Sequence, residues 1–76
     1  MKRFPRITLD PAVMGGRPCI RGLRITVATV LRLLAAGRAR NEILQEYPYL
    51  EAGDLDEALE FAAWLAESPE EALAAQ

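Results

Sequence analysis

Apolar positions along the chain follow two rhythms, and the change between them falls near residue 26. Before it, Arg6-Ile7-Thr8-Leu9-Asp10 is short, alternating and partly β-branched, which predicts a strand. Pro11 and then Gly15-Gly16 punctuate it. Pro18-Cys19-Ile20 and Arg24-Ile25-Thr26 are two further extended pieces around Gly22, and together they predict a small hairpin. Pro5 and Pro18 have no amide to donate, which assigns those strands to sheet edges.

After residue 26 the spacing turns helical. Val27, Val30, Leu31 and Leu34 stand at i, i+3, i+4 and i+7, predicting a helix from Val27 to about Ala36 with Thr26 as its N-cap. Gly37 supplies the left-handed stop. A shorter helix runs from about Arg40 to Glu46, burying Ile43 and Leu44, and Tyr47-Pro48-Tyr49 ends it. A third spans about Ala52 to Ala66, with Asp54 and Asp56 in its first turns, where the helix dipole favours acids. Ser68-Pro69-Glu70-Glu71 then combines an N-cap, a proline at the first helical position and a glutamate at the third, the signature of a short final helix. The fold expected is mainly α. A small N-terminal β-hairpin precedes a three-helix, helix-turn-helix-like bundle and a short C-terminal helix. It forms one domain over residues 1–76, with a β-rich basic arm (1–26), a helical bundle (27–66) and an acidic helix or tail (67–76).

Placed at ~100° intervals, Leu55, Ala58, Leu59, Ala62, Leu65 and Ala66 share one face of the third helix, and that face is expected to be the core. Asp56, Glu57 and Glu60 lie opposite. Phe61 and Trp64 fall on the shoulder between. Either they pack under Tyr47 or Tyr49 within the chain, or they form an exposed aromatic patch for a dimer or partner contact. This helix occupies the place of a recognition helix, yet it has no Arg, Lys, Asn or Gln and would be repelled by phosphates. The DNA-binding candidates are therefore the basic residues before it: Arg17, Arg21 and Arg24 around the hairpin, with Lys2, Arg3 and Arg6 on a flexible arm. Doubled by two-fold symmetry, such a ribbon or arm addresses a groove and its backbone. The alternative is that some of these arginines pair with the acidic helix.

Composition sharpens this picture. Residues 1–41 hold all nine basic side chains and one acid, Asp10, a net +8, whereas residues 42–76 hold ten acids and no base, a net −10. Such a split suggests an acidic partner for one half and a basic partner for the other, or else neutralisation within the fold or across a dimer. A chain of 76 residues buries only roughly 60% of its unfolded surface. One cysteine and no histidine exclude an intrachain disulfide and a His/Cys metal cluster, so a homodimer is expected. The unpaired thiol suits a reducing cytoplasm. The basic start is followed by no apolar run of a secretory signal or membrane span.

Catalysis finds no footing. There is no histidine base and no nucleophile beside one, and the acids fall on exposed helical faces. Cys19 reads as a small buried apolar residue. Gly15-Gly16-Arg17-Pro18 matches neither phosphate-loop pattern, and Pro18 removes an amide that a cradle needs. No cofactor, metal or small-molecule substrate is expected.

Several short motifs occur in a fixed order. They are Ile7 with Asp10-Pro11, Gly15-Gly16-Arg17-Pro18-Cys19-Ile20-Arg21-Gly22-Leu23-Arg24-Ile25, Gly37, Glu42-Ile43-Leu44, Tyr47-Pro48-Tyr49-Leu50 and Ala58-Leu59. In this order the stretch from Ile7 to about Ala62 resembles the small prokaryotic proteins of domain-of-unknown-function family 433. Leu23, Ala39 and Glu51 stand where that pattern commonly has Thr or Ser. The resemblance implies a homeodomain-like fold with a helix-turn-helix, and the antitoxin half of a type II toxin–antitoxin pair of VapB type. It also implies a PIN-like nuclease as partner, neutralised by binding, and repression of the protein's own operon. In that setting Glu67, Glu70 and Glu71, with Phe61 and Trp64, are the candidate contacts to the nuclease or a second copy, and an acidic ligand would mask a cationic RNA-binding surface. The competing expectation is a dimeric adaptor that binds only protein and uses its arginines internally.

Overall fold

The computed structural model describes residues 1–67. The final helix expected from Ser68, with Glu70 and Glu71, lies outside the described residues. Two short strands, β1 (Ile7–Thr8) and β2 (Cys19–Ile20), precede three helices, α1 (Val27–Ala35), α2 (Arg40–Glu46) and α3 (Ala52–Glu67). The fold is mainly helical with an N-terminal β-hairpin, as the pattern predicts.

β1 and β2 are antiparallel, with Ile7 opposite Ile20 and Thr8 opposite Cys19. The hairpin predicted around Gly22 forms only as one bridge between Cys19 and Thr26, closed by the Ile20 amide donating to Ile25 (3.1 Å) and the Leu23 amide donating to Ile20 (2.7 Å). β2 is thus the middle of this small β element rather than an edge. Pro18 permits this because it stands just before the strand and needs only its carbonyl, which accepts from the Val27 amide at 2.9 Å.

The ends of α1 are set locally. Thr26 is extended and its hydroxyl accepts from the Thr29 amide at 3.1 Å, an N-cap. At the other end Gly37 is left-handed (φ 82°); its amide donates to Leu34 and that of Arg38 to Leu33, the paired bonds of a Schellman stop. At α2 half of a capping box forms. The Glu42 carboxylate accepts from the Ala39 amide at 2.9 Å, and alanine has nothing to return.

α3 packs on both α1 and α2. The core joins Ile7, Ile20 and Ile25 of the β element to Val27, Val30, Ile43 and Leu50, and to Leu55, Ala58 and Phe61 of α3. Here the expected face of α3 is corrected. Its buried side chains are Asp54, Leu55, Ala58 and Phe61, while Leu59 is 44% and Leu65 47% exposed. The helix is turned toward Asp54 and Phe61 because both have partners at the N-terminus of the chain. Phe4, 5% exposed, sets its ring edge-on to Phe61 with centroids 5.3 Å apart and also touches Trp64 at 5.6 Å. The basic arm is thereby tied down rather than flexible. No helix among the described residues is long and apolar enough to cross a membrane.

Candidate functional site

Asp54 organises the charged part of the molecule. It stands at the third position of α3, where its carboxylate accepts from the Glu51 amide at 2.8 Å, closing the first turn. Its side chain has no solvent exposure, so it needs further partners, and two arginines supply them. Arg21 donates through Nε to Oδ1 (3.0 Å) and through a terminal nitrogen to Oδ2 (3.0 Å), a forked contact, and also donates to the Tyr49 carbonyl at 2.7 Å. Arg6 donates to Oδ1 at 3.0 Å and to Glu51 at 2.7 Å. The Arg6 amide donates to Glu57 at 2.5 Å. β1, β2 and the start of α3 are thus clamped by one Arg–Asp–Arg cluster, made dense by Gly53: the Arg6 guanidinium lies 2.7 Å from where a Cβ would stand on it.

The electrostatics follow from these contacts. Burial alone would push the Asp54 carboxyl up, but hydrogen bonds from Arg21, the Glu51 amide and Arg6 outweigh it and hold the group below its ordinary value. Arg6 is raised chiefly by its bond to Glu51 and then by Asp54; Arg21 is raised by Asp54.

The candidate DNA-binding residues divide. Arg6 and Arg21 are committed to Asp54, so the expectation that acids lie only on exposed helical faces is corrected at that residue, and these two arginines form part of the scaffold. Outside the candidate set, Arg38 pairs with Glu46, and Arg40 with Asp56 at 2.6 Å. Much of the charge split is thereby neutralised within the chain. Lys2, Arg3, Arg17 and Arg24 have no carboxylate partner among the described residues. Arg3 lies over the Trp64 ring, 5.4 Å from its centroid, and Arg17 donates through Nε to the Met14 carbonyl at 3.1 Å.

The aromatic candidates divide too. Phe61 is 6% exposed and held by Phe4, so it does not present an open patch. Nor does it lie under the tyrosines; Tyr47 and Tyr49 pack on each other, 6.1 Å apart. Trp64 is half-buried under Arg3. The exposed stripe of α3 is instead Asp56, Glu60, Ala63 and Glu67, with Leu59 beside it. A second open feature runs between α1 and α3, an apolar groove of about 330 Å³ lined by Val27, Ala28, Leu31, Phe61, Ala62 and Leu65, together with Arg17, Pro18 and Thr26.

Asp54 and the groove escape a reading of the sequence for different reasons. An acid at the third helical position fits the dipole and signals nothing more, while the groove follows from the rotation of α3. The only local hint of Asp54's role is its spacing from Glu51, which allows the returning half of a capping box.

A small hairpin clamped by an Arg–Asp–Arg cluster to three helices defines a compact, mainly helical domain. The chain belongs to the family described as "Protein of unknown function (DUF433)", whose sequence profile matches residues 7–62. It is similar in structure to a DUF433 member from Anabaena variabilis, with a TM-score of 0.72 and 32% identity, over 93% of this chain and 67% of that one. It is also 37% identical over 46 residues to the uncharacterized protein y4eO of Sinorhizobium fredii. The matched stretch is 60% of this chain and spans only 21% of that relative's length.

Proposed function

We propose that this chain is a non-enzymatic, antitoxin-type protein that binds and neutralises a cationic partner, a PIN-like nuclease, through the outer face of α3. One observation carries the reading: Asp56, Glu60 and Glu67 recur at i, i+4 and i+11 on one exposed stripe beside the half-exposed Leu59, and of the three only Asp56 has a cation partner among the described residues, Arg40. An apolar anchor on an acidic stripe suits a basic surface that evolved to hold RNA, because complementary potentials speed the encounter and the leucine supplies burial. The family resemblance in the motifs from Ile7 to Ala62 supports the same partner. Operator binding is a narrower proposal. With Arg6 and Arg21 engaged, it rests on Lys2, Arg3, Arg17 and Arg24, brought together in pairs by a homodimer.

The competing reading is a dimeric adaptor that binds protein and no DNA, and it draws on the internal pairing of four arginines. The test is co-expression with the PIN-like nuclease encoded nearest in the host genome, followed by purification and an RNA-cleavage assay. A stoichiometric, inactive complex supports the antitoxin reading, and a nuclease that stays active and separate overturns it. A salt series on promoter DNA decides the narrower point. Phosphate-driven binding weakens steeply as salt rises, and an adaptor binds at no salt concentration.

A further inference from the structure

We propose that the apolar groove between α1 and α3 binds a small amphiphilic monoanion, a medium-chain carboxylate, with its aliphatic tail in the groove and its carboxylate on Arg17. This inference is independent of the antitoxin reading.

The lining sets the chemistry of the occupant. The groove measures about 330 Å³, at the small end of ligand sites, which run from roughly 300 to 1,000 Å³. Leu31, Phe61 and Leu65 give it an aliphatic and aromatic wall, and no carboxylate of the described residues lines it. Leu65 is 47% exposed, so apolar surface stays open there. The polar groups of the lining are already engaged, with one exception. The Thr26 hydroxyl accepts from the Thr29 amide and meets the Thr29 hydroxyl at 2.9 Å, and the Pro18 carbonyl accepts from Val27. Arg17 is the exception. Its Nε donates to the Met14 carbonyl at 3.1 Å, and its terminal nitrogens meet no acid among the described residues.

The head of Arg17 is also held in place. Met14, Gly15 and Gly16 all lie at positive φ (50°, 68° and 81°), and this tight turn brings the Met14 carbonyl to both the amide and the Nε of Arg17. With Nε engaged, the terminal edge of the guanidinium stays open, a planar pair of donors that matches the two oxygens of a carboxylate. An anchored donor pair loses less side-chain freedom on binding than a loose one. An apolar slot with one fixed, unpaired cation selects a ligand that is apolar along its length and anionic at one end.

Two rival occupants fit worse. A second copy docked groove to groove by two-fold symmetry sets two cationic, acid-free linings together, and like charges disfavour that. A cationic protein surface meets the same repulsion. The lining offers no general base, and its one hydroxyl is engaged, so the bound molecule is a ligand and not a substrate.

The test is a titration of the full chain with sodium octanoate, followed by proton–nitrogen NMR. Saturable shifts should centre on the amides of Ala28, Leu31, Ala62 and Leu65 and on the Arg17 side chain. Affinity should rise by up to about four-fold per methylene from hexanoate to octanoate, and level off once the groove is full. Octanol, with the same tail and no charge, should bind about ten-fold more weakly. Arg17→Ala should lose the preference for octanoate over octanol while keeping the parent's circular dichroism. Ala28→Phe, at an exposed position of α1, should fill the groove and weaken both ligands. Equal binding of octanol and octanoate by the parent chain overturns the proposal, as does an affinity independent of tail length. Shifts that fall outside the groove, or that do not saturate, overturn it too. Shifts at these residues that grow with protein concentration and need no octanoate also overturn it, and assign the groove to a second copy.

Discussion

Arg21 holds both carboxylate oxygens of Asp54 while its own backbone lies in the left-handed region, at φ 45°. A side chain with a Cβ adopts that conformation only where its surroundings fix it. Here three restraints act together: the fork onto Asp54, the bond to the Tyr49 carbonyl, and the Arg21 amide donating to Arg6 at 2.7 Å. The turn after β2, the end of α2 and the start of α3 therefore form one unit. Its weak point is the aspartate, since it has no exposure while its two arginines remain about one-third exposed.

Removing that aspartate should be the most damaging polar change in the chain. Asp54→Ala strips two guanidiniums and the Glu51 amide of their acceptor. Breaking a buried pair costs about 3–5 kcal/mol, and the low end applies because both arginines can rehydrate. Asp54→Asn keeps the shape and one acceptor and should cost somewhat less. Thermal melts followed by circular dichroism check the order. Equal stability of Asp54→Ala and the parent chain would show that the cluster contributes nothing net.

The same group sets an acid limit on stability. Hydrogen bonds hold the folded Asp54 carboxyl below its ordinary value, so its pKa is lower folded than unfolded. Such a group stabilises fully above the unfolded value, about 4, and its contribution fades as pH falls toward the lower folded value. The stability gap between the parent and Asp54→Asn should be constant near neutrality and shrink below about pH 4. Denaturant midpoints measured across that range decide it; a gap that persists unchanged at the acid end contradicts the assignment.

Gly53 offers a test of packing. Within a helix, glycine to alanine gains about 0.5–1 kcal/mol at an open interior site, and less is expected at the second position, where Gly53 stands. Here the new methyl meets the Arg6 guanidinium, which must move off Glu51 and Asp54. Gly53→Ala is expected to gain little or to lose stability in the parent chain, and to stabilise in an Arg6→Ala background. Additive effects of the two changes would mean that Arg6 yields freely.

Much of this fold is legible in the sequence, because its elements are specified locally. Thr26, the period from Val27 to Leu34 and Gly37 mark α1 at both ends, and Tyr47-Pro48 ends α2. What is not legible depends on contacts across the chain. Asp54 meets Arg21 and Arg6 across 33 and 48 residues, and no local pattern selects that acid from its neighbours. The buried face of α3 departs from its apolar pattern for the same reason: counting apolar side chains favours the arc holding Leu59 and Leu65, and no such count buries an aspartate. The arginines of the hairpin look alike in sequence, yet Arg21 is scaffold while Arg17 and Arg24 have no acid among the described residues. Only the fold distinguishes them.

A cap makes a smaller prediction. Thr26→Ala removes the side-chain acceptor of the Thr29 amide, leaving only its bond to the Thr26 carbonyl, and the contact between the two hydroxyls at 2.9 Å. The cost expected is about 1 kcal/mol, and Thr26→Ser should restore most of it. Because Thr26 is only 3% exposed, solvent does not replace the lost bond readily. Denaturant unfolding of the three chains, with unchanged slopes, is the check.

The acidic stripe of α3 can be separated from everything that holds the fold. Glu60 and Glu67 are exposed and pair with no cation among the described residues, so Glu60→Lys with Glu67→Lys should leave the melting temperature close to that of the parent. If α3 docks on a cationic nuclease, the double reversal turns attraction into repulsion along the approach. The loss should then fall mainly on the association rate, and the salt dependence of that rate should flatten or invert. Leu59→Ala acts differently: it removes an apolar anchor and should quicken dissociation while leaving association nearly unchanged. Surface plasmon resonance with the co-purified nuclease separates the two rates. If both substitutions leave both rates unaltered, the partner uses another face of the molecule, and the stripe only keeps the chain soluble.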